Sequence, residues 1–145
     1  MPVSEEEGMH TSFSKETWQA FRDDDRPGPI HMLNLVRLRD RADYPDGREA
    51  SGAEAYATYG RISEPVFAGL GGRIVWRGKF ELMMVGPQEE SWDICFIAEY
   101  PGVDAFVAMI RDPTYRDAMV HRQAAVADSR LVRLAPVAAG RNFGV

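Results

Sequence analysis

Hydrophobic residues recur with two different periods along this chain, and the changes of period mark where strands give way to helices. Residues 30–38, IHMLNLVRL, alternate as a strand does, with Met32, Asn34 and Val36 on one face. Residues 53–70 repeat at helical spacing, and Pro65 must bend this helix. The remaining predicted elements are strands at 73–85, 92–100 and 129–134 and a helical region at 103–127 with a break at Asp112–Pro113.

A short extension precedes this pattern. Ser14 can cap a helix whose Trp18 and Phe21 give it one apolar edge. The segment DDDRPGP cannot continue that helix, because it contains two prolines and a glycine. We therefore divide the chain into an extension at 1–29, a domain at 30–136 and a C-terminal tail at 137–145. We expect the extension to be dispensable for folding, since only two side chains anchor it.

The order of the elements predicts an α+β fold. A strand, helix, strand, strand, helix, strand sequence with right-handed crossovers forms a ferredoxin-like β-α-β-β-α-β sandwich, in which helices cover one face of a four-stranded antiparallel sheet. The other face would expose alternating apolar residues such as Leu33 and Val75. A second copy is the usual cover for such a face, so the topology predicts a homodimer through the sheet face.

Composition restricts the class of protein further. The 145 residues are 45% hydrophobic, which suffices for one domain with its own core. Cys95 is the only cysteine, so it cannot form an intramolecular disulfide, and this fits a reducing compartment. A net charge of −5 argues against nucleic acid as a partner. No apolar run approaches the ~20 residues that span a bilayer, and the acidic N-terminus does not resemble a signal peptide. We expect a soluble cytoplasmic protein with no membrane partner.

Four residues are candidates for binding a substrate between the sheet and the helices: Asn34, Tyr59, Trp76 and Arg122. Asn34 is a polar amide within an apolar strand, where it must find hydrogen-bond partners or cost roughly 1–3 kcal/mol. Each candidate has a structural alternative, because buried aromatics often only fill the core and buried amides often bind the backbone.

His121 is the candidate catalytic residue. It is the side chain here that can titrate near neutral pH, and Asp117, one helical turn earlier, could orient it. The alternative is an ordinary solvated pair of side chains. Arg122 faces inward and needs an anionic partner, which could be Glu99, Asp128 or a ligand. A structural ion pair is the simpler of these outcomes.

Cofactor motifs are absent from the sequence. The three histidines and single cysteine have no zinc-binding spacing, although His121 alone could be an axial haem ligand. No GxGxxG pattern, Walker pattern or nucleophile elbow occurs. We therefore expect no cofactor and no metal.

Four stretches of the chain resemble a known family: HMLNLVRLRDRADYPDG, SGAEAYATYGRISEPV, GGRIVWRGKFE and DPTYRDAMVHRQAAVADSRL. They resemble domain-of-unknown-function family 1330 (DUF1330) of the dimeric α/β-barrel superfamily, over about Pro29 to Pro136. The resemblance implies a ferredoxin-like protomer and a side-by-side dimer whose sheets form a barrel, but no activity. Superfamily relatives include cofactor-free antibiotic-biosynthesis monooxygenases, muconolactone isomerase-like proteins and haem-binding branches, whose pockets lie between sheet and helices.

Two functional hypotheses follow. The first is a small-molecule enzyme of cofactor-independent monooxygenase or isomerase type that acts on an apolar or aromatic metabolite, with His121 as acid or base. The second is a non-catalytic dimer that binds a small ligand or is purely structural. An enzyme requires His121 beside an open cavity. A structural protein would satisfy His121 elsewhere and fill the cavity with Trp76 and Tyr59.

Overall fold

The computed structural model describes residues 9–144, and this part of the chain forms four strands and four helices. In chain order they are α1 (Lys15–Asp23), β1 (Ile30–Leu38), α2 (Gly52–Gly69), β2 (Arg73–Gly78), β3 (Ile94–Tyr100), α3 (Val103–Arg111), α4 (Pro113–Ala125) and β4 (Val126–Leu134). The strands form one sheet in the order β2-β3-β1-β4, and every neighbouring pair is antiparallel. The predicted ferredoxin-like α+β fold is therefore confirmed.

The predicted boundaries where β2 ends and β3 begins are wrong. β2 ends at Gly78 instead of residue 85, because Gly78 pairs with Cys95 near the start of β3 and residues 79–85 have no partner strand. Residues 79–82 alternate as a strand would, but they lie in the loop at 79–93, where Leu82 and Met84 are exposed. β3 likewise starts at Ile94 instead of residue 92.

The junction of α4 and β4 also differs from the prediction. The helix ends at Ala125 instead of Ala127, and β4 begins at once with Val126 instead of at residue 129. The backbone N–H groups of Arg39 and Asp43 donate to the carbonyl oxygens of Ala125 and Ala124, each at 2.8 Å. The loop at 39–51 thus satisfies the terminal carbonyl groups of α4, so the helix needs no further turn.

The helix-covered face of the sheet packs into two hydrophobic clusters. The first core cluster consists mainly of Ile30, Met32, Ala98, Tyr100, Phe106, Met109 and Tyr115. The second core cluster consists of Val36, Ala42, Tyr44, Ala55, Ala124, Ala125 and Val126. β1 contributes Met32 to the first cluster and Val36 to the second, and Asn34 is the helix-facing residue between them. The core therefore has a polar interruption at the middle of β1.

The N-terminal extension is bound more firmly than two apolar side chains would allow. The rings of Phe21 and Phe106 lie 5.0 Å apart, so α1 packs on the first core cluster. Polar groups add further anchors: the His10 N–H donates to Asp128 Oδ1 at 2.8 Å, and Arg133 donates to the carbonyl oxygen of Phe21 at 3.2 Å. The prediction that Trp18 and Phe21 alone anchor the extension is wrong.

The other face of the sheet, which we call the open face, carries no helix within residues 9–144. Strand register places the following residues on it: His31, Leu33, Leu35, Trp76, Ile97, Glu99, Val132 and Leu134. Trp76 is 50% exposed and Val132 43% exposed, so this face presents apolar side chains to solvent. None of the helices of residues 9–144 is long and apolar enough to cross a membrane.

Candidate functional site

A cleft of about 730 Å³ lies between the helix-covered face of the sheet and helices α2, α3 and α4. It lies against both core clusters, at the place where Asn34 interrupts the apolar face of β1. Much of its wall is aromatic or aliphatic: Phe13, Tyr56, Tyr59, Phe67, Ile74, Ile94, Phe96, Tyr100, Phe106, Ile110, Tyr115, Met119 and Leu131. A wall of this kind suits a small apolar or aromatic molecule.

Asn34 contributes a half-buried amide to this wall, in the place that the sequence predicts. Its Nδ2 donates to the carbonyl oxygen of Met32 at 3.0 Å, which holds the amide in one orientation. Its Oδ1 receives no hydrogen bond from any residue between 9 and 144. An amide oxygen can accept two hydrogen bonds, so Oδ1 is free to accept one from a ligand.

Tyr59 also lines the cleft as predicted, and it forms a hydroxyl pair with Tyr115. The two hydroxyl oxygens are 2.8 Å apart, and the rings meet edge to face with their centroids 6.0 Å apart. Burial raises the pKa of Tyr115, and the nearby Tyr59 raises it further. Burial also raises the pKa values of Tyr56 and Tyr100. These three phenols are therefore neutral at pH 7, and each can donate a hydrogen bond but cannot act as a base.

Tyr115 also lines the cleft, although the sequence did not single it out as a candidate. It lies one helical turn before Met119 and two before Arg122 on α4, and all three residues line the cleft. That spacing on one helix face was the available signal.

Arg122 lines the cleft, but neither of its predicted protein partners contacts it. Its Nη1 donates to the carbonyl oxygen of Thr11 at 3.0 Å, and within residues 9–144 it makes no salt bridge. Glu99 lies on the open face instead, 2.8 Å from His31 Nε2 and 2.8 Å from Arg73 Nε. The expectation of a structural ion pair between Arg122 and Glu99 or Asp128 is wrong.

Asp128 is occupied by other groups at the start of β4. Its Oδ1 accepts hydrogen bonds from Arg130 at 2.8 Å and from the backbone N–H groups of His10 and Ser129. Burial would raise the pKa of Asp128, but these donors outweigh it and hold the pKa below its usual value. Asp128 is therefore ionised and already satisfied.

His121 does not line the cleft. Its Nδ1 is 2.6 Å from the hydroxyl oxygen of Tyr44, a member of the second core cluster, and the two rings meet edge to face. A residue next to Arg122 points about 100° away from it around the helix, so His121 faces the loop at 39–51. The prediction that His121 borders the cleft is wrong, and Asp117 makes no hydrogen bond to it. Among residues 9–144, no three His, Cys, Asp or Glu side chains lie together as metal ligands would.

Trp76 also lies away from the cleft. The pairing of β2 with β3 is irregular between Ile74 and Trp76, and this bulge adds one residue to β2. Ile74 and Arg77 consequently face the cleft, while Trp76 pairs with Ile97 on the open face. The prediction that Trp76 belongs to the binding site is wrong, because simple alternation does not anticipate the bulge.

Comparison with known proteins relates the chain to proteins of unknown function. The model of the family described as Domain of unknown function (DUF1330) matches residues 49–134. The crystal structure of RPA0582, a protein of unknown function from Rhodopseudomonas palustris, shares 65% identity and a TM-score of 0.88 over 90% of this chain and 99% of that one. The crystal structure of methylated RPA0582 gives 65% identity and a TM-score of 0.90 over 92% and 98%.

A more distant structure shows the fold alone. SnoaB, a cofactor-independent oxygenase from Streptomyces nogalater, shares 14% identity and a TM-score of 0.50 over 77% of this chain and 96% of that one. No curated protein matches the sequence.

Proposed function

Because the chain belongs to the DUF1330 family, whose function is unknown, we propose a function from its own cleft: it binds a small, largely apolar or aromatic molecule. The observation that carries this proposal is the combination of an apolar wall with a few polar groups. A cleft of about 730 Å³ falls in the size range of small-molecule sites. Asn34, Tyr59 and Arg122 are the polar groups that would orient the ligand through its oxygen atoms.

Binding without turnover fits the site better than catalysis. Oxygenase or isomerase chemistry without a cofactor needs a base that removes a proton from the substrate. His121 is held by Tyr44 outside the cleft, and the buried tyrosines of the wall have raised pKa values. An enzymatic role would have to use the Tyr59–Tyr115 pair as a hydrogen-bond donor to a developing oxyanion. The chain shares its fold with SnoaB, a cofactor-independent oxygenase, so the enzymatic role is our second candidate.

The open face supports the proposal of a homodimer. It combines exposed apolar residues, among them Trp76 and Leu134, with the charged cluster of His31, Glu99 and Arg73 at one end. A centre of apolar residues with charges at the rim is the usual composition of a homodimer interface. The same face of a second copy would cover the apolar centre by two-fold symmetry.

Filling the cleft tests the binding function. Gly60 lies on α2 in the wall of the cleft, and a Cβ added there meets no atom within 4 Å. Gly60→Trp should therefore occupy the cleft without disturbing the helix. Gly69→Trp is the matched control, because Gly69 is on the same helix, has the same free space and does not line the cleft.

The probe is 2-naphthamide, a neutral aromatic amide, and its binding is measured by isothermal titration calorimetry. We expect the unchanged protein and Gly69→Trp to bind it and Gly60→Trp to lose binding. If Gly60→Trp binds as well as the unchanged protein, or if no form binds either 2-naphthamide or its carboxylate analogue 2-naphthoate, the proposed function is wrong.

A further inference from the structure

Arg122 holds a guanidinium in the wall of the cleft, and from it we infer the chemical class of the ligand: an aromatic or apolar molecule that carries one carboxylate. This inference rests on the proposed binding function and deepens it. Three observations support it: the hydrogen bonding of Arg122, the charge of the cleft wall and the neighbouring polar groups.

The guanidinium of Arg122 is oriented by the protein but only partly used by it. Its hydrogen bond from Nη1 to the carbonyl oxygen of Thr11 fixes one side of the group. A guanidinium has five N–H donors, and its Nε and Nη2 make no hydrogen bond with residues 9–144. Those two nitrogens form the edge that binds both oxygens of a carboxylate in parallel. The group is thus held in place with its carboxylate-binding edge unused.

The charge of the cleft wall is opposite to that of the whole chain. The chain has a net charge of −5, but the charged residues in the described wall are Arg77, Arg122 and Glu64, two positive and one negative. Apolar walls strengthen the field of such charges, because they keep the local dielectric constant below that of water. The cleft therefore attracts an anion, although the protein as a whole would repel one.

The groups around Arg122 explain why a carboxylate on an aromatic body fits. The Tyr59 hydroxyl lies at the cleft, and it can donate a hydrogen bond to an oxygen of the ligand while it accepts one from the buried Tyr115 hydroxyl. Asn34 Oδ1 can accept a hydrogen bond from a hydroxyl or amine on the same ligand. The remaining wall is aromatic and aliphatic, so it contacts the ligand body. The Arg122 guanidinium can bind one carboxylate through both of its oxygens.

A pair of probes of equal shape isolates the contribution of charge. The ligand 2-naphthoate carries a carboxylate, whereas 2-naphthamide has a neutral amide at the same position. We expect the unchanged protein to prefer 2-naphthoate by roughly tenfold or more in Kd, the effect of a hydrogen-bonded charge pair that is partly shielded from water. Arg122→Gln should reduce that preference to about one while changing the Kd of 2-naphthamide by less than about threefold. Arg122→Lys, which keeps the charge but loses the planar edge, should give an intermediate preference.

The matched control is Arg116→Gln, because Arg116 is an exposed arginine of the same helix that does not line the cleft. It changes net charge equally and should leave the preference intact. If Arg122→Gln does not fold, as judged by circular dichroism, the Arg122→Lys result decides. Two outcomes would overturn the inference and leave the binding function standing: a preference for 2-naphthoate that is undiminished in both Arg122→Gln and Arg122→Lys, or a preference that is lost in Arg77→Gln instead. Failure of both probes to bind the unchanged protein would overturn both.

Discussion

Removing one hydroxyl at a time from the Tyr59–Tyr115 pair should cost stability unequally, because the two oxygen atoms differ in access to water. The oxygens are 2.8 Å apart, and Tyr115 is 5% exposed whereas Tyr59 is half-buried at the cleft. Tyr59→Phe leaves the buried hydroxyl of Tyr115 without its partner in the described structure. Tyr115→Phe leaves the hydroxyl of Tyr59 where water in the cleft can replace the lost partner.

The expected magnitudes follow from that difference in burial. A buried hydroxyl left without a partner costs about 1–3 kcal/mol, so this is the expected loss in the free energy of unfolding for Tyr59→Phe. A lost hydrogen bond that water can replace costs about 0.5–1.5 kcal/mol, which applies to Tyr115→Phe. The double variant leaves no hydroxyl stranded, so it should cost less than the sum of the single changes.

Urea unfolding at pH 7 measures these differences, provided that the slope with urea stays constant among the variants. Tyr56→Phe is the control, because Tyr56 also lines the cleft and its hydroxyl has no hydrogen bond to residues 9–144. Its free energy of unfolding should change by less than about 0.5 kcal/mol. Equal costs for the two single variants, or strict additivity in the double variant, would refute the argument that burial of the Tyr115 hydroxyl sets the magnitude.

Three further predictions concern the rest of the fold. Gly60→Ala should raise the free energy of unfolding by about 0.5–1 kcal/mol, since the site is open and alanine favours a helix. Gly52→Ala in the same helix should lower the free energy of unfolding, because the new Cβ would lie 1.9 Å from the carbonyl oxygen of Arg39. Thermal unfolding of both variants measures this difference. The lowered pKa of Asp128 means that its contribution to stability is complete above the ordinary pKa of 3.8 and is lost as the pH falls through the lowered value. Asp128→Asn should therefore weaken the dependence of the free energy of unfolding on pH below pH 4. An unchanged pH dependence in that range would contradict this prediction. Val132→Glu should convert the proposed dimer to a monomer, as measured by sedimentation. If the unchanged protein already sediments as a monomer, the proposed dimer is wrong.

Local chemistry was sufficient to predict most of the elements. β1 has the predicted bounds because the alternation of apolar and polar residues stops at both of its ends. Ser14 caps α1 as expected, since its hydroxyl oxygen accepts a hydrogen bond from the Thr17 N–H. Asp112 and Pro113 separate α3 from α4 as predicted, since proline is suited to the first turn of a helix. Each of these features depends on residues that are close in sequence.

The candidate site was predicted only in part, because several of its features depend on distant residues. Asn34 and Arg122 face the cleft as periodicity predicts, but periodicity does not reveal which groups meet Arg122. The contact of Thr11 with Arg122 joins residues 111 positions apart. Trp76 was misplaced by one inserted residue in β2, and His121 was misplaced because a single step along a helix turns a side chain by about 100°.

The bulge in β2 also affects how copies of this protein can associate. β2 is an edge strand of the sheet, and a flat, regular edge strand can pair with the edge of another molecule and start aggregation. This strand has six residues, an irregular register and exposed arginines at Arg73 and Arg77, all of which hinder such pairing. The irregularity that moves Trp76 to the open face therefore discourages edge-to-edge growth, and it leaves the open face as the surface of the proposed dimer.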